Sequence, residues 1–296
     1  MGHKNKKSLI RQVQENLQEK LTRGMGVSRH ECKQNHATAD KIFSINTFKT
    51  YLKANVGFVK FCKENYGCKT LEDCRSHVDD FLQHRMECGV SSFTSKMEAS
   101  AIGKLYNEPT TNFCPTPSRH RNAVVRSRGV KGMDRHFSES KNSKLVDFCR
   151  ATGLRRMEVA SCRGNMLVPC ETPTGDCFHG VGFQVVGKGG KVRIAPLCCS
   201  KEVADRIIQQ CKEAGNGKLF EKVHAAADVH GYRAEYASNF YSAVARDTNT
   251  LKGHQRYVCR GDKAGVVYDR SALRQTSMAL GHNRVEVVAN SYLYNL

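Results

Sequence analysis

Four separated stretches of the 296-residue chain carry side chains able to do chemistry together. Near the C-terminal end, Leu280-Gly281-His282 is followed by apolar residues at helical spacing, Val285, Val288 and Tyr292. Tyrosine can form covalent enzyme intermediates. A free tyrosine titrates near 10, so a tyrosine nucleophile needs cations or a base beside it. Packing against Val285 and Val288 favours Tyr292, with Tyr294 as the competing position. Upstream, Thr152-Gly153-Leu154-Arg155-Arg156-Met157-Glu158 sets a cation and a carboxylate three residues apart on one helical face. Arg155 is the cation of choice, and Arg156 is its neighbour and alternative. Lys188 sits at the tip of a glycine-rich turn, able to reach a leaving group. His230 and Arg233 share a helical face at i, i+3. Each has an ordinary reading alone: a surface ion pair, a hairpin lysine, a capping histidine, a packed tyrosine. Their joint presence in this order calls for a shared site.

Composition narrows the partner. Lys and Arg outnumber Asp and Glu by 47 to 28, a formal net charge of +19, which points to a polyanion. A membrane is the less favoured alternative, since no apolar run approaches the ~18 residues of a spanning helix. Met1 to Lys7 lacks the apolar core of a signal peptide, and a lysine stands where a myristoylation site expects Ser or Thr. A cytoplasmic location is therefore expected. The fourteen cysteines show no C-x-x-C pair, so reduced thiols packing as small hydrophobes are expected rather than a metal site.

Several elements must position these residues. Helices are predicted over 8–21, about 44–65, from Thr70 through Val78, Phe81 and Leu82, and over about 92–106. Residues 1–106 then form a helical domain. Residues 107–139 are turn-rich at first and then basic, with Arg119, Arg121, Arg126, Arg128 and Lys131, and read as an exposed interdomain linker that a polyanion would order. Residues 140–296 mix periods: helices over 143–151, 155–161, 201–214, 228–246 and 270–279, and a hairpin of Phe183 to Val186 with Val192 to Pro196 around the Gly187–Lys191 turn. The expected fold class is mainly α with a small β-sheet (α+β).

Taken together, T-G-L-R-x-x-E, a G-K-G hairpin, H-x-x-R, L-G-H and a terminal tyrosine resemble the tyrosine recombinases, or phage-type integrases, across most of residues 140–296. The ending L-G-H-N-R-V-E-V-V-A-N-S-Y-L is most similar to integrases of bacterial conjugative or phage-related mobile elements. The resemblance implies a SAM-like helical core-binding domain followed by a catalytic domain. It also implies that Arg155 and Arg233 clamp a phosphate, Lys188 is the hairpin general acid, and His230 and His282 are the active-site histidines. Glu158 would be the supporting acid and Tyr292 the nucleophile, forming a 3′-phosphotyrosyl link to double-stranded DNA with no cofactor, metal or ATP. A homo-tetramer on DNA, accessory directionality or bending proteins and a bacterial nucleoid setting follow from the same resemblance. The competing readings are a type IB topoisomerase-like nicking and resealing enzyme, and a catalytically silent DNA-binding protein.

Overall fold

The computed structural model describes residues 7–120, 136–187 and 190–293. The chain divides into two compact units, Met1–Arg119 and His120–Leu296.

The first unit is helical: α1 (Leu9–Gly24), α2 (Arg29–Gln34), α3 (Ile45–Tyr66), α4 (Leu71–Arg75), α5 (Val78–Glu87) and α6 (Ser92–Tyr106). Leu9, Val13, Leu17 and Leu21 recur every four residues and are all buried, so α1 presents one apolar stripe. They join Phe58, Val59, Phe81, Leu82 and Ile102 in one core. α1 runs to Gly24, where an added Cβ would lie 2.3 Å from the Ile42 carbonyl oxygen; the glycine lets the following loop close onto the helix. The single helix expected from Thr70 is two. The chain bends at Ser76 and His77, and the His77 ring stacks on Tyr66 with 3.6 Å between centroids. α2 was not anticipated; its six residues are too few to show a period, and its signal is the Ser28 cap that accepts from the Glu31 N–H. Residues 110–114 are not a free tether: Phe113 and Cys114 pack on the helical core, and the Cys114 N–H donates to Asp79.

The second unit contains α7 (Ser143–Thr152), α8 (Arg156–Ser161), β1 (Leu167–Pro169), β2 (Phe178–Val186), β3 (Val192–Cys198), α9 (Lys201–Ala214), α10 (Val229–Val244), β4 (Arg256–Val258), β5 (Val267–Asp269), α11 (Arg270–Ala279) and α12 (Val285–Ser291). β1, β2 and β3 form an antiparallel sheet in that order, and β4 pairs with β5 in a separate antiparallel ribbon. Two-stranded β4–β5 and three-residue β1 were not expected; segments of three residues carry no readable alternation. β3 alternates in an unusual sense. Arg193 is buried with Ala195 and Leu197, while Val192 and Ile194 face out. Helix α10 bridges two cores, with Tyr232 in the core of α7 and the sheet, and Tyr236, Ala237 and Phe240 in the core shared with α11 and α12. The fold is mainly α with small antiparallel sheets. No helix among the described residues is long and apolar enough to cross a membrane. All fourteen cysteines are free, and nine are buried as small hydrophobes.

Candidate functional site

The site lies within the second unit and is assembled from the ends of its elements. α7 closes at Gly153, whose φ of 58° is left-handed and whose missing Cβ would lie 2.3 Å from the Tyr236 ring. Leu154 is buried beneath the turn, and Arg155 caps α8 in extended conformation. Glu158, three residues on, reaches back as a capping acid: Arg155 donates its backbone N–H at 2.8 Å and its Nη1 at 2.9 Å to the two carboxylate oxygens. This anchors Arg155 while leaving its side chain about one-third exposed, at 32%. Arg156 turns away, its guanidinium donating to the backbone carbonyls of His224, Ala225 and Ala227.

Glu158 has a second cationic partner, which the sequence reading did not identify. Arg193 on β3 donates from Nη1 and Nη2 to the two carboxylate oxygens at 2.9 and 2.8 Å. Burial alone would push the Glu158 carboxyl up. The bonds from Arg193 and the Arg155 N–H outweigh it and bring the pKa down to about 2. Arg193 Nε also donates to the Ala279 carbonyl at the end of α11, at 3.0 Å. The one available signal was a charged residue in register with buried positions, flanked by exposed Val192 and Ile194.

Arg233, in the second turn of α10, is 1% exposed. Its Nη1 donates to the Gly153 carbonyl and its Nη2 to the Leu280 carbonyl. These residues cap the C-termini of α7 and α11, so the guanidinium sits where two helices present unpaired carbonyls and the negative ends of their dipoles. Desolvation lowers its pKa against that support. Arg233 Nε donates to the Tyr292 hydroxyl at 3.2 Å, and its guanidinium carbon lies 5.4 Å from the Tyr292 ring centroid.

Gly281, with φ of 70°, turns the chain out of α11 toward His282. His282 Nε2 lies 3.3 Å from the Tyr292 hydroxyl and 3.4 Å from Arg233 Nη2. Burial, then Arg233, Arg155 and Arg193, lower the His282 pKa to about 4, so the ring is neutral at pH 7. Arginine only donates, so Nε2 offers its lone pair to this group and the proton sits on Nδ1. His230 is exposed on one side, and its ring centroid is 5.5 Å from that of Tyr292 on the other. Desolvation on the packed side and Arg233 lower its pKa, and Asp228 opposes them. Tyr292 itself is 6% exposed and follows α12, its N–H donating to the Val288 carbonyl at 3.0 Å.

Arg155, Glu158, Arg233, His230, His282 and Tyr292 are thus brought into one neighbourhood. Lys188 lies outside the described residues. The flanks of its hairpin are ordered by the Gly187 N–H donating to the Lys191 carbonyl at 2.7 Å, and by Lys191 Nζ donating to Asn283 beside His282. Arg121, Arg126, Arg128, Lys131 and Tyr294 also lie outside the described residues. Arg119 belongs to the first unit, with its guanidinium 5.9 Å from the Phe93 ring centroid. Two guanidiniums, Arg155 and Arg193, share the carboxylate of Glu158, and Arg233 lies close enough to feel the charge of both. Such a cluster is suited to hold an oxyanion beside a phenol and a neutral imidazole.

No protein-family model matches the chain. No curated protein matches it in sequence. Among solved structures it is similar to the XerH site-specific recombinase bound to difH substrate in a pre-cleavage complex, with a TM-score of 0.53, 14% identity, and coverage of 96% of this chain and 92% of that one. The post-cleavage complex of XerH with palindromic difH substrate is similar at a TM-score of 0.51 and 14% identity, covering 96% of this chain and 90% of that one. The likeness at this identity is one of fold.

Proposed function

We propose that this chain is a site-specific DNA recombinase that cuts and rejoins DNA through a phosphotyrosyl intermediate on Tyr292, serving a mobile element. The observation that carries the reading is the Tyr292 hydroxyl at 3.2 Å from Arg233 Nε and 3.3 Å from the neutral His282 Nε2. A tyrosine packed only for stability has no need of a buried guanidinium and an imidazole lone pair at its oxygen.

In this scheme double-stranded DNA places a scissile phosphate between Arg155 and Arg233. Both guanidiniums donate to its non-bridging oxygens, where charge grows in the transition state. The Tyr292 oxygen attacks phosphorus, the bond to the 5′ oxygen breaks, and a 3′-phosphotyrosyl link forms. His282 or His230 takes the phenolic proton, and Lys188 gives a proton to the departing 5′ oxygen. Rejoining reverses each transfer with an incoming 5′-hydroxyl. The phosphotyrosyl bond conserves the phosphodiester energy, so no ATP is consumed. Exchange between two duplexes requires four such sites, hence a tetramer assembled on DNA.

The test uses nicked suicide DNA carrying candidate element ends, in excess EDTA. The expected result is a covalent protein–DNA adduct whose phosphopeptide contains Tyr292, and recombinants between two sites on plasmids. Relaxed plasmid without exchange would instead assign a nicking and resealing enzyme. Binding with no adduct on any suicide substrate would assign a silent DNA-binding protein.

A further inference from the structure

We infer that Arg193 is a positioning residue for the proposed cleavage, acting through Glu158 on Arg155; the inference rests on the recombinase reading. Three observations carry it. First, Arg193 is buried, and both of its terminal nitrogens bond the same carboxylate, at 2.9 and 2.8 Å, that receives the Arg155 backbone and side chain. A bidentate arginine fixes the plane of a carboxylate, and a fixed carboxylate fixes whatever donates to it. Second, the surroundings are shaped to the Arg193 side chain. A Cβ on Gly281 would lie 2.8 Å from its Cδ, and one on Gly187 would lie 3.1 Å from its Nη1. Third, Arg193 Nε holds the Ala279 carbonyl, at the end of the helix that leads into His282.

Arg193 therefore ties together the start of α8, the base of the β2–β3 hairpin and the end of α11. These segments carry Arg155, Lys188 and His282. Its three hydrogen bonds run to Glu158 and Ala279 and none to the Tyr292 hydroxyl. Its contribution is the placement of groups that would touch the phosphate. If only stability were served, a buried ion pair would be a poor choice, since well-packed apolar residues do as well or better.

The experiment compares full-length wild type, Arg193→Lys, Arg155→Ala and the double variant in single-turnover cleavage of suicide DNA, together with DNA affinity. Lysine keeps the charge and loses the bidentate geometry. We expect Arg193→Lys to cut about 10²-fold slower, the cost typical of a misplaced catalytic group, with DNA affinity changed less than about threefold. The double variant should lose less than the two single losses combined, because the part of the Arg193 effect that runs through Arg155 is already gone. Additive losses, or an unchanged rate for Arg193→Lys, overturn the inference. Should Arg193→Lys fail to fold, Arg193→Met with Glu158→Leu removes the buried pair together; normal cleavage by that protein overturns it equally. The free protein provides a second readout. The Arg155 Nε–Hε NMR signal should broaden or move toward the random-coil position in Arg193→Lys. If wild type forms no adduct at all, the recombinase reading fails by itself, and an unmoved Arg155 signal separately removes Arg193 as its positioner.

Discussion

Tyr292 is held at several points. Tyr292 is anchored by its own N–H on Val288, by the ring contact with Arg233 and by the burial of Leu293 behind it. A nucleophile must be kept within roughly 3–3.5 Å of phosphorus, which favours the anchored residue. Tyr292→Phe should fold, bind DNA and form no covalent adduct, whereas Tyr294→Phe should still form one; phosphate recovered on Tyr294 would reverse the assignment. The arginines separate in the same way. Under the proposed mechanism, Arg155→Ala and Arg233→Ala should each remove a transition-state donor, typically about 2.7–4 kcal/mol or 10²–10³ in rate, while most DNA binding persists. Arg156→Ala should instead lower the melting temperature and leave cleavage near normal, because its guanidinium is committed to carbonyls at 224–227. Cleavage kinetics beside thermal melts would decide, and a cleavage defect in Arg156→Ala would exchange the two roles. The sequence made this set legible because its members are polar residues in short local patterns. Between Arg155 and Arg156 it offered only order in the chain; the direction of each side chain depends on the Glu158 cap and on a loop about 70 residues away.

At the scale of elements, the spans of α9 and α11 were readable from the sequence. What escaped was tertiary in origin. Arg193 looks like an ordinary hairpin cation until β3 is paired with β2 and its inward face is fixed by Val185 opposite. The same elements dictate how stability should respond to acid. His282 has its pKa lowered to about 4 from 6.5, first by burial and then by Arg233. The unfolded chain therefore takes up this proton first, and stability should begin to fall as pH drops from 6.5 toward 4. Glu158 is brought from 4.5 to about 2, the Arg193 and Arg155 bonds outweighing burial. Asp269 is also brought down to about 2, chiefly by Arg246, against the opposing effect of burial. Stability from both carboxylates is complete above about 4.5 and lost as pH falls through 2; for Glu158 it amounts to about 3 kcal/mol at most. Melting temperatures measured from pH 7 to 2 should thus decline in two overlapping stages. Glu158→Gln should be less stable at pH 7 and show a shallower decline below 4.5. A wild-type melting temperature flat between pH 6.5 and 4 would contradict a half-buried, neutral His282.

For the whole molecule the governing quantity is charge. A formal +19 on 296 residues is far more than the buried cluster needs, so most of it is available to a polyanion. If that polyanion is duplex DNA, each phosphate neutralised releases condensed counterions, and log affinity falls against log salt with a slope of about −0.9 per contact. The stretch from Arg119 to Lys131 concentrates arginine in a short length, which makes it the place to test. Arg119 already rests against Phe93, a position that leaves its charge at the surface of the first unit. Replacing Arg119, Arg121, Arg126 and Arg128 with alanine should reduce the magnitude of the slope by up to about 3.6, the sum if all four touch phosphate. Partial contact gives a proportionate fraction. Titrations of one duplex between about 50 and 200 mM salt are sufficient, since phosphate contacts act on any sequence alike. The loss should be the same on a candidate element end and on unrelated DNA, because these arginines would set affinity rather than sequence choice. A loss confined to the element end would make the stretch a reader of base edges. An unchanged slope on both would mean that it touches no phosphate, and that the excess charge works elsewhere on the chain.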